Sequence, residues 1–189
     1  MAIIVRPLDA SRVEDFYRIH SPEHGTDWCY CTAWWVETWD GWGERTAAEN
    51  KALREKLFGQ NHYDGYLLYV DGHPAGWCQC GRRDRFTKLL QQYKLERDPR
   101  VWAITCLLII PPFRKQGSAH GFLDEILGDL KSKGVQRIQA FPRRGGKLLD
   151  EDVWTGPEQI YRRAGFRLEG DDSGRPIYGK LLGTGGKQA

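Results

Sequence analysis

Residues 101–120 read VWAITCLLIIPPFRKQGSAH, a run followed by a turn. Val101 to Ile110 are almost continuously apolar and rich in β-branched side chains, which predicts a strand buried on both faces. Pro111 and Pro112 stop it. The spacing of Phe122, Leu123, Ile126, Leu127 and Leu130 predicts a helix over 117–133, closed by Gly134. Between strand and helix lies a basic turn, PPFRKQGSA. Backbone N–H groups at a helix start lack intrahelical partners and carry the positive end of the helix dipole. Gly117 lets backbone come close to a ligand, and small Ser118 and Ala119 keep the approach clear. Such a turn suits a phosphate or pyrophosphate. It lacks the patterns G-x-x-x-x-G-K-[S/T] and G-x-G-x-x-G, so it is neither a Walker loop nor a dinucleotide fingerprint.

Working outward, VQRIQAF (135–141) reads as a strand and completes a strand–helix–strand crossover. Upstream, YLLYV (66–70) and PAGWCQCG (74–81) flank Asp71-Gly72, a strong hairpin signal. Residues 82–99 form a charged excursion with a short helix. Residues 3–6 read as a strand. Helices are predicted over 10–20, where Val13, Phe16, Tyr17 and His20 keep helical spacing, and over 44–58, ended by Gly59. Downstream, Thr155-Gly-Pro-Glu158 has the form of a capping box opening a short helix that stops at Gly165. FRLE (166–169) and PIYGKLL (176–182) are the last strands. The order is that of an α/β fold, a single domain over residues 1–182 with a flexible tail at 183–189.

The chain has 189 residues, 40% hydrophobic and 28% charged, which excludes a disordered, collagen-like or coiled-coil protein. Its net charge of +3 is too small to argue for nucleic acid by itself. The charge is divided, however: residues 1–80 carry 7 Lys/Arg against 12 Asp/Glu, and residues 81–189 carry 21 against 13. That division suits a protein joining a cationic molecule to an anionic one, or it is chance segregation of solvated charge. No stretch approaches about 18 apolar residues, so no membrane span is expected. The N-terminal MAIIVRPLDASRVEDF turns charged within six residues, so no secretion leader is expected. With five Cys, an odd number, a disulfide framework is disfavoured and a reducing cytoplasm is the expected compartment.

The turn resembles that of the GNAT superfamily of acyl-CoA-dependent N-acyltransferases, whose pyrophosphate motif is Q/R-x-x-G-x-G/A. Here Arg114-Lys-Gln-Gly117-Ser-Ala119 matches it, and Tyr161-Arg-Arg-Ala-Gly165-Phe166 matches a second family segment, Y-x-x-x-G-F. The front, rich in Trp and Cys, is similar to an uncharacterised bacterial subgroup. The resemblance implies a mixed, mostly antiparallel central sheet flanked by helices, with a central β-α-β unit for acetyl-CoA. It implies that backbone groups of Leu107, Leu108 and Ile109 meet the pantetheine arm in a gap where two strands splay. Arg114, Lys115, Gln116, Gly117, Ser118, Ala119 and His120 would form the pyrophosphate turn. Tyr161 stands where the family often has the general acid that protonates the leaving thiolate; otherwise it is a packing tyrosine. Two family positions differ. Trp154 stands where a polar residue, commonly Asn, precedes the tyrosine by seven, and Ala103 stands where several members have a basic Glu.

His20, His62, His73 and Asp98 are the remaining candidate bases. Cys29-x-Cys31 and Cys78-x-Cys80 are spaced too tightly for a usual zinc site, and no metal is expected. Five of the eight Trp fall in residues 28–42. Asp27, Trp28, Trp34 and Trp35, with Glu37 and Asp40, would hold a cationic acceptor by charge and cation–π contacts; the other reading is that the Trp rings fill core. The expected function is transfer of an acetyl group from acetyl-CoA to a primary amine of a small molecule or protein, by a cytoplasmic monomer or homodimer. The alternatives are a catalytically silent CoA sensor or scaffold, and a nucleic-acid-binding domain. The last is disfavoured by an isoelectric point of about 8.6 and the absence of a binding motif.

Overall fold

The computed structural model describes residues 2–145, 153–172 and 174–183. Seven strands form one sheet: β1 (Ile3–Pro7), β2 (Gly65–Val70), β3 (His73–Arg82), β4 (Val101–Ile109), β5 (Arg137–Ala140), β6 (Arg167–Asp172) and β7 (Arg175–Leu181). Their order across the sheet is β1-β2-β3-β4-β5-β7-β6. Among the described residues only the β4–β5 pair is parallel. The β2–β3 turn is made by Asp71 and Gly72 at φ of +48° and +83°, the left-handed pair that a two-residue hairpin needs. The expected mixed, mostly antiparallel sheet is therefore present.

Helix α4 (Ser118–Ser132) makes the crossover from β4 to β5. Its predicted stripe, from Phe122 to Leu130, is buried against one sheet face with Ile104, Leu107 and Ile138. Each such side chain contributes about 2 kcal/mol by burial. The opposite face is covered by α1 (Val13–Ile19) and α2 (Ala47–Gly59), which bring Phe16, Ile19 and Phe58 onto Leu67 and Trp77. The excursion after β3 contains α3 (Thr87–Gln92) and forms a third cluster on that side. Phe86 and Leu89 are fully buried there with Trp34, Ala103 and Phe141.

Two local expectations change. Residues 10–12 form a 3-10 turn, and α1 begins only at Val13. The capping box at Thr155–Glu158 does not form. Helix α5 (Glu158–Arg163) has Pro157 at its N-cap and no side-chain cap bond. Tertiary partners take the Glu158 carboxylate, and the Thr155 hydroxyl is buried with no hydrogen-bond partner among the described residues. The Thr155 carbonyl accepts the Tyr161 hydroxyl, while the Glu158 carboxylate pairs with Arg144 and accepts the Tyr178 hydroxyl. A capping box does open α2, where Thr46 and Glu49 exchange bonds of 2.7 and 3.2 Å. Of the expected tail, residues 184–189 lie outside the described residues.

Candidate functional site

The turn after β4 is the expected strand–turn–helix join. Lys115 and Gly117 both have positive φ, +59° and +79°, and Gly117 stands at the N-cap of α4. Among the described residues no side chain caps that end. A Cβ built on Gly117 would meet nothing within 4 Å among the described residues, so they leave the space beside it open. Lys115, Gln116 and Gly117 are exposed, Ser118 is buried, and Ala119 and His120 are half-buried. The Arg114 guanidinium donates to the Ile109 carbonyl at 2.7 Å, and the Gln116 amide donates to the Pro112 carbonyl at 2.9 Å. Both side chains thus bond the backbone that leads into the turn.

The β4–β5 pairing stops at Ile104↔Ala140, whereas β4 stays paired with β3 as far as Ile109↔Gly76. Residues 105–109 therefore form an edge facing a gap, as the splay implied. Ile110 N–H donates to Ala75 on β3, and strand alternation turns the backbone groups of Leu108 the same way, toward Trp77. Leu107 and Ile109 face the gap. Leu107 N–H donates to the Trp154 carbonyl at 2.9 Å, and the Trp34 indole N–H donates to the Thr105 carbonyl at 3.2 Å. Tyr161 is fully buried, its hydroxyl 2.6 Å from the Thr155 carbonyl. Burial, together with Cys78, Cys106 and Cys80, pushes its pKa well above the usual phenol value, which keeps the proton on the oxygen.

The sequence profile of the acetyltransferase (GNAT) family matches residues 14–145. The chain belongs to this family. It is accordingly an acyltransferase of the N-acetyltransferase type. Among solved structures it is similar to the PaiA N-acetyltransferase of Thermoplasma acidophilum, in complex with coenzyme A. That similarity has 17% identity, 96% of this chain and 99% of the other covered, and a TM-score of 0.56. It is also similar to the ribosomal-protein-S18-alanine N-acetyltransferase of Escherichia coli, with 13% identity, 100% and 99% covered, and a TM-score of 0.55. A third is a GNAT superfamily phosphinothricin acetyltransferase of Sinorhizobium meliloti, in complex with AcCoA, with 18% identity, 97% and 90% covered, and a TM-score of 0.56. At these identities the likeness is one of fold. No curated protein matches the chain.

Within the GNAT fold, the acceptor candidates do not converge. Trp34 is buried and alone of the four bonds the β4 edge. Trp35 packs on His62 and Phe86, with ring centroids 4.9 and 5.0 Å away. Trp28 is exposed, 5.2 Å from Trp42, and its indole N–H donates to the Arg45 carbonyl. Asp27 is half-buried, and Glu37 and Asp40 are exposed. What holds this irregular segment is a pair of polar residues on the buried face of α2. The Asn50 amide donates to the Trp28 carbonyl at 2.9 Å. Arg54, fully buried, donates to the Tyr30 carbonyl at 2.9 Å and to the Cys31 carbonyl. Tyr30 and Cys31 have φ of +43° and +51°, a strained pair that these bonds secure. The signal was in the sequence: Asn50, Arg54 and Leu57 share one helical stripe.

The candidate bases also separate. His20 is buried with Nδ1 3.0 Å from the Phe16 carbonyl, and desolvation lowers its pKa to about 3. Asp98 is bonded by Arg100, which together with the Arg100 backbone holds its pKa down at about 2. His73 sits at the tip of the β2–β3 hairpin, with Nδ1 3.1 Å from the Asp71 carbonyl. His62 lies against Trp35 with Nδ1 3.7 Å from the buried Asp64 carboxylate. Cys78 and Cys80 pack toward α4, whereas Cys31 and Cys106 pack on the α1–α2 side. Among the described residues no three His, Cys, Asp or Glu side chains are grouped to hold a metal ion, and no helix is long and apolar enough to cross a membrane.

Proposed function

We propose that the chain transfers an acetyl group from acetyl-CoA to a primary amine of a small molecule or a protein. The observation that carries this is the uncapped, open N-terminus of α4 directly after a strand whose last five residues are unpaired toward β5. The turn of Arg114 to His120 would take the pyrophosphate through backbone N–H groups, and Leu107 and Ile109 would offer backbone bonds to the arm. The amine nitrogen attacks the thioester carbonyl, an amide forms, and the carbon–sulfur bond breaks. Tyr161, held neutral by burial, then gives its proton to the leaving thiolate. The proton lost by the amine goes to water. His20 and Asp98 are too weakly basic to take it.

The acidic first half and its Trp-rich segment favour a cationic acceptor. Nearby carboxylates raise the pKa of a bound amine, so turnover should climb as pH rises toward that pKa. A second reading, a CoA sensor without turnover, is favoured by one set of observations: Ala103 and Trp154 replace the family's polar groups, and the Tyr161 hydroxyl is occupied by the Thr155 carbonyl. Thiol release from acetyl-CoA over a panel of amines, aminoglycoside-type antibiotics and peptides separates the two. Release with any acceptor supports the enzyme, and CoA binding without release with any of them supports the sensor.

A further inference from the structure

The gap beside β4 already contains a piece of this chain. Residues Val153 to Gly156 make a tight turn, closed by Gly156 N–H donating to the Val153 carbonyl at 2.7 Å with Gly156 at φ +86°. Three contacts hold it. The Trp154 carbonyl accepts Leu107 N–H at 2.9 Å. The Trp154 ring lies 5.6 Å from that of Trp34, whose own N–H is on Thr105 of the same edge. The Thr155 carbonyl accepts the Tyr161 hydroxyl at 2.6 Å. The fit has one flaw: the Thr155 hydroxyl is buried without a hydrogen-bond partner among the described residues, which disfavours this arrangement energetically.

We propose that Val153–Gly156 is a strap lying in the cofactor's own groove, and that the arriving arm displaces it, freeing the Leu107 amide and the Tyr161 hydroxyl in one movement. The proposal rests on the acetyl-CoA reading given above. Leu107 has one N–H, so an arm carbonyl and the Trp154 carbonyl compete for it. Tyr161 has one hydroxyl proton, which cannot reach a leaving thiolate while it is donated to Thr155. The strapped state is therefore unready on both counts. Its population lowers the apparent affinity for CoA by the fraction of molecules that are closed.

The test uses the whole chain and CoA itself. Trp34→Phe keeps an aromatic ring but removes the indole N–H from Thr105; Trp154→Ala removes the ring contact with Trp34. Melting curves confirm folding, calorimetry gives Kd, and stopped-flow tryptophan fluorescence gives the binding rate. Loosening the strap should tighten CoA binding about threefold to tenfold in each variant. For the wild type, the observed rate should level off as CoA concentration rises. Equal or weaker affinity in the folded variants overturns the strap and makes the two tryptophans walls of the groove. If neither variant folds, the wild-type rate decides: a plateau supports the strap and a linear rise overturns it. Absence of CoA binding in all three proteins overturns the acetyl-CoA reading and the strap together, whereas binding without tightening overturns the strap alone.

Discussion

The two ends of the β4 edge are built differently. At the turn, the described residues leave open space beside Gly117 and give the first amides of α4 no side-chain cap. At the splay, the Thr105 carbonyl and Leu107 amide are both bonded, to Trp34 and to Trp154. The open end needs only local backbone: a glycine at positive φ and a helix start. The closed end is assembled from three distant segments, so its free groups are decided by competition. On the proposed reading, the anion turn is preformed, while access to the arm groove and to Tyr161 waits on displacement of the strap.

Four measurements test that contrast. Gly117→Glu at the open end puts a carboxylate and a strained φ where the pyrophosphate would lie. CoA affinity, read by calorimetry, should fall by about 100-fold or more, since like charges in contact cost several kcal/mol. Unchanged binding would place the anion elsewhere. At the closed end, Tyr161→Phe should lower kcat by about 10²-fold, as for a lost proton donor, while CoA affinity is not weakened and rises with the loss of the bond to the Thr155 carbonyl. An unaltered rate with a good acceptor would leave Tyr161 as packing and a tether for Thr155.

The third concerns the support beneath the Trp-rich segment, where His20 stacks on Phe16 at 4.1 Å and lies near Tyr30. Its folded pKa of about 3 lies below the ordinary 6.5, so the unfolded chain takes up the proton first. The stabilisation is present above pH ~6.5 and is lost as pH falls toward ~3, by about 1.4 kcal/mol per pH unit. His20→Asn, which can keep a donor toward the Phe16 carbonyl, should flatten denaturant-derived stability over this window. An identical pH slope in the variant would mean that other groups carry the acid sensitivity. The smallest effect is expected from Asp27→Asn: a rise of about threefold in KM for a cationic acceptor, with CoA affinity intact, given its partial exposure. Equal weakening of both substrates, or a best acceptor that is anionic, would end the division between an acidic acceptor side and a basic cofactor side.

The order of elements, the Asp71-Gly72 hairpin, the buried β4 and the glycine turn before α4 were all legible along the chain. Each depends on neighbours a few residues apart: alternation, helical spacing, a proline stop, a glycine. The capping box at Thr155 shows the limit. Its local pattern is present, yet Arg144 and Tyr178 took the Glu158 carboxylate and the Thr155 hydroxyl caps nothing among the described residues. The same holds for Arg54, whose place on a helical stripe was readable but whose carbonyl partners in the Tyr30–Cys31 turn were not. By itself, the amino-acid sequence determined the α/β architecture, the family and the turn, because backbone conformation and periodic burial are short-range properties. Tertiary structure alone decided that Leu108 faces β3, that α3 and Trp34 cover Ala103, and that Trp154 caps Leu107. A buried donor or acceptor must find a partner, and which of several distant groups reaches it is settled only when the chain is packed.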